Sequence, residues 1–353
     1  MGLTQQDLPK SNHRQEGSIS HPGSDARSGA ATTDPAIAAF DCRSIPPTAR
    51  EAVWRAPDGH AIRRLDWTPP AAPARGAMLF LPGRGDVYEK YLESFEHWRR
   101  RGWRVTAADW RGQGGSGRIG GDPFIGHVAD FGEWLGDLAA FWREWAAASA
   151  PGPLVLVGHS MGGHLVLRAA AEGLLNPQPA ALVLSTPMLD VLPDRIPLAI
   201  RRAVARLMVA AGDPRRQAWK WSERPGEVPP GRQELLTHDA RRYADELWWR
   251  ERRPELAMGP GSWGWVAAAL RSTWLLERPG RLEGMRIPTL LLGTSADRLV
   301  GWRAILRAAA RLPHGELLRF GVEARHEILR ESDPVRNRAL DGIDAFLDRA
   351  CPR

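Results

Sequence analysis

The chain has 353 residues, a formal net charge of +7 at pH 7 and an apolar fraction of 43%. This length suits one large α/β domain or two smaller ones. The 48 basic residues include three lysines, and they are scattered among Asp and Glu instead of forming long runs. Scattered positive charge argues against a nucleic-acid-binding protein. The sequence also contains no stretch of 18 apolar residues that would predict a membrane-spanning helix.

The first 40 residues are polar and rich in Ser and Gly, without an apolar segment of the signal-peptide type. We therefore expect a disordered N-terminal segment and a cytoplasmic location. The two cysteines, Cys42 and Cys351, lie near opposite ends of the chain. They offer neither a disulfide framework nor the spacing of metal ligands, so we expect no metal site and no organic cofactor.

From about residue 50, short apolar runs alternate with helical periodicity. Residues 51–67 predict a β-hairpin with a turn at Asp58-Gly59. Strands are predicted at 77–82, 105–110, 153–160, 180–186, 288–297 and 316–320, and helices at 87–101, 131–148, 161–171, from about 301, and at 334–349. This order predicts an α/β fold with a mostly parallel central sheet and helices on both of its faces. Its core would comprise residues 45–189 and 276–353.

Residues 190–275 interrupt the alternation, because they contain no convincing strand and hold seven of the 16 tryptophans. A helical insertion between core strands predicts a lid over a site at the carboxyl ends of those strands. Within this insertion, residues 196–212 predict a basic amphipathic helix whose apolar residues include Ile200, Val204 and Leu207. One interpretation is peripheral contact with a membrane surface. We favour the other, in which the apolar side packs against the protein core.

The sequence Gly158-His159-Ser160-Met161-Gly162 is a G-x-S-x-G motif between a predicted strand and a predicted helix. This context predicts a nucleophilic serine on a sharp, strained turn. Gly158 and Gly162 would let the strand and the helix approach closely. The Ser160 hydroxyl would then lie at a helix N-terminus, where backbone amides favour negative charge.

A serine nucleophile needs a base, and the base needs an orienting carboxylate. In this architecture the chain order is serine, acid, histidine. Asp297 and His326 each follow an apolar strand, in that order, so we assign them as the acid and the base. The alternatives are His159, His164, His238 and His314 as the base and Asp190 and Glu323 as the acid.

An oxyanion hole requires two backbone amides near the nucleophile. One is expected from Met161, which directly follows Ser160. The other is expected from Arg84 in the segment LPGRGD (81–86), where Gly83 and Gly85 permit unusual backbone dihedrals.

Over about residues 50–350, the sequence resembles members of the α/β-hydrolase superfamily, and within it the bacterial lysophospholipase and monoacylglycerol lipase group. The resemblance rests on GHSMGG (158–163), ADWRGQGGSGR (108–118), TPML (186–189), GTSADRLV (293–300) and ARHEILRE (324–331). Pro82-Gly83 stands where many relatives have His-Gly, which keeps the Arg84 amide but removes a histidine side chain. The resemblance implies a serine hydrolase that acts on a small-molecule ester of a long acyl chain, such as a lysophospholipid or a monoacylglycerol.

Three other functions stay open at this point. An aminopeptidase would need carboxylates for a substrate amine, and the lid carries Glu223, Glu227, Glu234, Asp239, Asp245 and Glu246. An acyltransferase would use an alcohol in place of water. A non-catalytic ligand-binding protein is the third, although such a protein has no reason to keep Ser160, Asp297 and His326 together. The sequence does not specify an oligomeric state.

Overall fold

The protein is described by a computed structural model that covers residues 40–193, 195–219 and 231–352. The sequence predicts disorder for residues 1–40, and residues 1–39 lie outside the described part of the chain. One sheet has the order β1-β2-β4-β3-β5-β6-β7-β8. Its strands are β1 (Ala49–Arg55), β2 (Ala61–Trp67), β3 (Gly76–Leu81), β4 (Trp103–Ala108), β5 (Leu154–His159), β6 (Ala181–Ser185), β7 (Thr289–Thr294) and β8 (Gly315–Phe320).

The first two strands form the predicted hairpin. They pair antiparallel, with Arg55 opposite Ala61. Gly59 has φ +87° in the connecting turn, a conformation that favours glycine. β2 also pairs antiparallel with β4, whereas every later pair from β3 to β8 is parallel. The predicted mostly parallel sheet is thus confirmed.

Helices cover both faces of this sheet. They are α1 (Leu92–Arg100), α2 (Phe131–Ala148), α3 (Met161–Ala171), α4 (Leu198–Ala210), α5 (Arg232–Leu236), α6 (Ala240–Arg252), α7 (Trp263–Leu276), α8 (Trp302–Arg311) and α9 (Asp333–Ala350). Strand β5 shows why two layers are needed. Val155 and Val157 pack with α1 and α9, whereas Leu156 packs with α2, α3 and α8 on the other face. Such a strand, buried on both faces, is apolar at successive positions.

In the described residues between β6 and β7, four α-helices differ in how firmly they are anchored to the rest of the protein. Trp265 and Ala269 of α7 are buried in the main core, and Glu246 of α6 is fully buried. On α4, by contrast, only Ala205 is buried. The described helices between β6 and β7 are therefore not equally free to move.

The expectation that the apolar side of residues 196–212 packs against the core is wrong. Ile200, Val204 and Leu207 are 54%, 47% and 66% exposed. Two arginines of α4, Arg201 and Arg202, face the protein instead, whereas Arg206 is exposed. Arg201 forms a salt bridge of 2.8 Å with Asp190, and the Arg202 guanidinium lies 4.1 Å from the Trp274 ring centre. None of the described helices is both long enough and apolar enough to span a bilayer.

Candidate active site

Ser160 occupies a sharp turn between β5 and α3. Its φ of +52° is unusual for a residue other than glycine and is a strained conformation. A Cβ on Gly158 would lie 2.7 Å from Gly163 Cα, and a Cβ on Gly162 would lie 2.4 Å from the Leu81 carbonyl oxygen. No side chain fits at either glycine, so the turn depends on both of them.

Ser160, His326 and Asp297 form one hydrogen-bonded chain. The Ser160 hydroxyl Oγ lies 2.9 Å from His326 Nε2, and His326 Nδ1 lies 2.7 Å from Asp297 Oδ2. The second Asp297 oxygen accepts hydrogen bonds from the backbone amides of Leu299 and Val300. The three side chains come from the loops after β5, β7 and β8, whose carboxyl ends meet at one edge of the sheet.

The electrostatics suit proton transfer through this chain. Burial alone raises the pKa of Asp297, but the adjacent His326 and the backbone amides bring it below its usual value. Burial lowers the pKa of His326, yet the Asp297 carboxylate raises it above the ordinary 6.5. The arrangement therefore holds a carboxylate beside an imidazole of increased basicity, as a general base requires.

The TPML segment (186–189), which follows β6, contacts the backbones of both Ser160 and His326. The Thr186 hydroxyl donates a hydrogen bond of 2.8 Å to the His326 carbonyl. The Met188 amide donates one of 2.9 Å to the Ser160 carbonyl. The TPML segment thus fixes the backbone on both sides of the hydrogen bond between Ser160 and His326.

The other histidines and acids considered as the base or the acid have different partners. His164 is fully buried against the Ser272 hydroxyl, and burial lowers its pKa to about 3. The remaining contacts are His238 with Glu331, Asp190 with Arg201, Glu323 with Arg338, His159 with Asp86, and the His314 carbonyl with the Thr289 amide. The chain order serine, acid, histidine therefore selects the residues that the fold brings together.

The LPGRGD segment lies against Ser160. A Cβ on Gly83 would lie 3.1 Å from Ser160 Cβ, which places the Arg84 backbone beside the turn. Met161 is the first residue of α3, and amides in the first turn of a helix have no acceptor within that helix. The role of these two amides as an oxyanion hole remains a prediction.

The ADWRGQGGSGR segment has a structural role that sequence reasoning missed. The Gln113 side chain accepts a hydrogen bond from the Gly85 amide and contacts Met161 Sδ through its own amide group. The Trp110 indole donates to the Pro82 carbonyl at 2.8 Å. Both contacts hold the LPGRGD segment in place, and only the resemblance in this segment could have drawn attention to it.

A buried ionic cluster lies beside Ser160 and His326, and sequence reasoning also missed it. It consists of Asp86, Lys90, Glu246, Glu327 and Arg330, whose side chains are at most 4% exposed. Lys90 Nζ lies 2.9, 3.0 and 2.5 Å from the Asp86, Glu246 and Glu327 carboxylates, and Arg330 pairs with Glu246 and Glu327. The sequence signal was weak, since these residues are up to 244 positions apart.

The cluster connects three parts of the site. Asp86 follows the LPGRG turn, and its carboxylate accepts from the Gly83 amide and the Tyr91 hydroxyl. Glu327 directly follows His326, and Glu246 belongs to α6. Helix α6 is thereby connected to the LPGRGD segment and to the loop that carries His326.

A pocket of about 490 Å³ opens onto Ser160 and His326. Apolar side chains supply much of its wall: Met188, Val191, Leu192, Ala218, Trp219, Leu235, Leu236, Trp263, Trp265, Val266, Leu299 and Val300. The charged lining residues are Arg84, Asp86, Lys90, Arg232, Arg298 and Glu327. The Arg84 guanidinium lies about 5 Å from the ring centres of Trp219 and Trp265. The pocket thus offers a largely apolar volume next to the Ser160 hydroxyl.

Comparison with known sequences places the chain among hydrolases. The family model for serine aminopeptidase, S33 (Hydrolase_4) matches residues 72–333. Lysophospholipase L2 of Escherichia coli strain K12 is 32% identical over 286 residues, which are 77% of this chain and 80% of the relative. A probable lysophospholipase L2 of Haemophilus influenzae is 26% identical over 79% of this chain and 86% of the relative.

Solved structures share the same fold. A soluble variant of the Saccharomyces cerevisiae monoglyceride lipase, in complex with a substrate analog, superposes with a TM-score of 0.69 at 18% identity, covering 89% of this chain and 99% of that one. The monoacylglycerol lipase of Paleococcus ferrophilus gives a TM-score of 0.63 at 21% identity, over 82% and 99% of the two chains. The chain therefore belongs to the serine aminopeptidase S33 (Hydrolase_4) family and has the α/β-hydrolase fold.

Proposed function

We propose that the protein is a serine hydrolase that cleaves the carboxylic ester of a long-chain acyl lipid, either a lysophospholipid or a monoacylglycerol. The observation that carries this proposal is the hydrogen-bonded chain of Ser160, His326 and Asp297 at the base of a largely apolar pocket. The names of the relatives, lysophospholipase L2 and monoglyceride lipase, support the substrate class.

The geometry suggests the following course. His326 Nε2 takes the proton of Ser160 as its oxygen attacks the ester carbonyl, and the amides of Met161 and Arg84 stabilise the oxyanion. The imidazolium, stabilised by Asp297, then protonates the departing alcohol and leaves an acyl-serine. Water, deprotonated by His326, hydrolyses the acyl-enzyme and restores the free serine.

Residues 190–275 would serve as the lid that excludes water from this reaction. Support comes from the pocket wall, to which this segment contributes Val191 and Leu192 before α4, Trp219 after it, and Trp265 of α7. The ion pairs of α6 and the core packing of α7 hold the second half of the segment. Opening and closing would therefore involve the first half, up to Trp219.

An ester fits the described pocket better than a peptide with a free N-terminus. The carboxylates that line it, Asp86 and Glu327, are both bound to Lys90. Three other acids of residues 190–275 have basic partners: Asp239 pairs with Arg242, Asp245 pairs with Arg43, and Glu246 lies in the buried ionic cluster. Glu234 is exposed and does not line the pocket. Glu223 and Glu227 lie outside the described residues. Within the described residues, the pocket offers no carboxylate without a basic partner for a substrate amine.

The proposal is tested by the hydrolysis of a substrate panel. Lysophosphatidylcholine, a monoacylglycerol, p-nitrophenyl esters of short to long acyl chains and an aminoacyl-naphthylamide are offered to the native protein and to Ser160→Ala. We expect Ser160-dependent release of fatty acid from the lipid esters and an optimum at long acyl chains, because the pocket wall is apolar. We expect no cleavage of the aminoacyl amide.

Three results would contradict this function. Cleavage of the aminoacyl amide alone would establish a peptidase. Transfer of the acyl group to an added alcohol in preference to water would establish an acyltransferase. A folded protein that turns over no substrate and is not labelled by a fluorophosphonate probe would be a ligand-binding protein.

The pH dependence of kcat/KM follows from the pKa of His326. Only the neutral imidazole accepts the serine proton, so activity falls as the pH drops through the raised pKa, above 6.5. Asp297→Asn removes the charge that raises this pKa. We expect the acidic limb of the profile to move to lower pH, and kcat to fall by about 10⁴-fold because the imidazole loses its orienting partner. The measurement is a kcat/KM profile for a p-nitrophenyl ester. An acidic limb that does not move would contradict the coupling between Asp297 and His326.

A further inference from the structure

Helix α4 presents an apolar stripe to solvent. We define the apolar stripe as Ile196, Ile200, Val204 and Leu207, which are 42%, 54%, 47% and 66% exposed. Ile200, Val204 and Leu207 are three or four residues apart and therefore lie along one side of α4, and Ile196 lies just before the first residue of the helix, Leu198. Of the eight large hydrophobic residues that are exposed in the described chain, four belong to this stripe. Exposed apolar residues are ordinary when scattered singly, but a contiguous group marks an interaction surface.

The outward orientation of the stripe is fixed by the opposite side of the helix. The Arg201 guanidinium contacts both oxygens of Asp190 and donates a hydrogen bond to the Val191 carbonyl. Arg202 packs on the Trp274 ring, which belongs to α7. Rotating the stripe inward would break these contacts and bring arginines to the outer side.

The charge around the stripe identifies its partner. Residues 195–219 contain six arginines and a single acidic residue, Asp213. Arg195 and Arg206 are exposed. An apolar helix side bordered by arginines matches the interfacial region of an anionic bilayer, where acyl chains lie below negative headgroups.

The position of α4 connects this surface to the pocket. Val191 and Leu192, which precede the helix, line the pocket, and so do Ala218 and Trp219, which follow it. A surface bound by the stripe would therefore lie next to the segments that form the pocket wall. We propose that the apolar stripe and its arginines bind the surface of an anionic lipid bilayer. Delivery of lipid substrate from that surface to Ser160 rests in addition on the proposed function.

The test is flotation of the full chain with lipid vesicles. The protein carries Ser160→Ala, so that lipid hydrolysis does not interfere. Vesicles are pure phosphatidylcholine or contain about 30% phosphatidylglycerol, which supplies the negative surface potential. We expect binding to the anionic vesicles that weakens as salt is added, since salt screens the arginines.

Two variants and a matched control separate the apolar and the basic contributions. Ile200→Ser with Leu207→Ser is expected to weaken binding by at least about tenfold, because two large apolar side chains no longer enter the membrane. Arg195→Gln with Arg206→Gln is expected to weaken binding to anionic vesicles and to reduce its salt dependence. The control, Val53→Ser with Leu174→Ser, removes two exposed apolar residues outside α4 and should bind as the parent does.

Several outcomes would overturn the inference. The first is that the parent protein does not bind vesicles, and the second is that the stripe variant binds as well as the control. The third is a dimer in solution that Ile200→Ser with Leu207→Ser converts to a monomer while vesicle binding stays unchanged. The proposed function is scored separately. With Ser160 intact, hydrolysis of soluble p-nitrophenyl butyrate should be the same with and without the stripe substitutions. Failure of that hydrolysis in the native protein would contradict the proposed function and leave the vesicle result standing.

Discussion

Replacing Ser160 with alanine lowers kcat for ester hydrolysis by about 10⁵- to 10⁶-fold, the scale of loss when a triad nucleophile is removed. The Ser160 oxygen is the attacking atom, and its hydroxyl proton is the one that His326 accepts, so the variant lacks both. The protein should remain folded, because the change deletes one oxygen atom. The measurements are kcat with a p-nitrophenyl ester and labelling by a fluorophosphonate probe, which should be lost together.

A double replacement and a matched serine sharpen this test. Residues that act as one unit are not additive, so Ser160→Ala with His326→Ala should be about as inactive as Ser160→Ala alone. Ser295 is exposed, lies in the same loop as Asp297 and has no place in the proposed mechanism. Ser295→Ala should therefore keep the native kcat. Substantial activity in Ser160→Ala, or an equal loss in Ser295→Ala, would refute the assignment of the nucleophile.

The second large effect is expected on stability. Glu246→Gln should lower the free energy of unfolding by about 3–5 kcal/mol, since it removes a buried negative charge that several buried cations share. The Glu246 carboxylate lies 3.0 Å from Lys90, 2.8 Å from Arg232, 2.9 Å from Arg250 and 3.2 Å from Arg330. Burial raises the pKa of Glu246, but these cations bring it well below its usual value. The contribution is therefore present at neutral pH and is lost only when the pH falls through that lowered pKa.

Urea unfolding monitored by tryptophan fluorescence gives the change, provided that the m-value stays the same. The control is Glu316→Gln, which breaks an ion pair of 2.6 Å with Arg349 in which both side chains are about half exposed. An exposed pair of this kind contributes at most about 1 kcal/mol. Similar small changes in both variants would show that the buried ionic cluster does not stabilise the fold.

The features that could be predicted from the sequence are those encoded locally or by chain order. The strand, the glycines and the helix around Ser160 are adjacent in sequence, and the structure places the turn where the motif predicts it. Asp297 and His326 were assigned because each follows an apolar strand, and parallel strands bring such loops to one edge of the sheet. The prediction required no knowledge of distances.

The features that were missed depend on contacts between distant residues. No local pattern pairs Lys90 with Glu246 or Glu327, which come from three different parts of the chain. Helix α4 shows a second limit. Periodicity correctly indicated which residues share a side, but it could not indicate which side faces the protein. The side that faces the protein is determined by contacts of Arg201 with Asp190 and of Arg202 with Trp274.

The buried ionic cluster also limits how freely parts of this enzyme can be exchanged. Glu246 belongs to the segment inserted between β6 and β7, whereas Asp86, Lys90, Glu327 and Arg330 belong to the core. A chimera that takes its inserted segment from a relative would retain Lys90 and Arg330 but lose the Glu246 carboxylate that both of them contact, unless the donor supplies an acid at the same place. The inserted segment is therefore not an independent module. Efforts to change substrate preference by exchanging this segment should keep a carboxylate at position 246, or confine the exchange to the residues before α5.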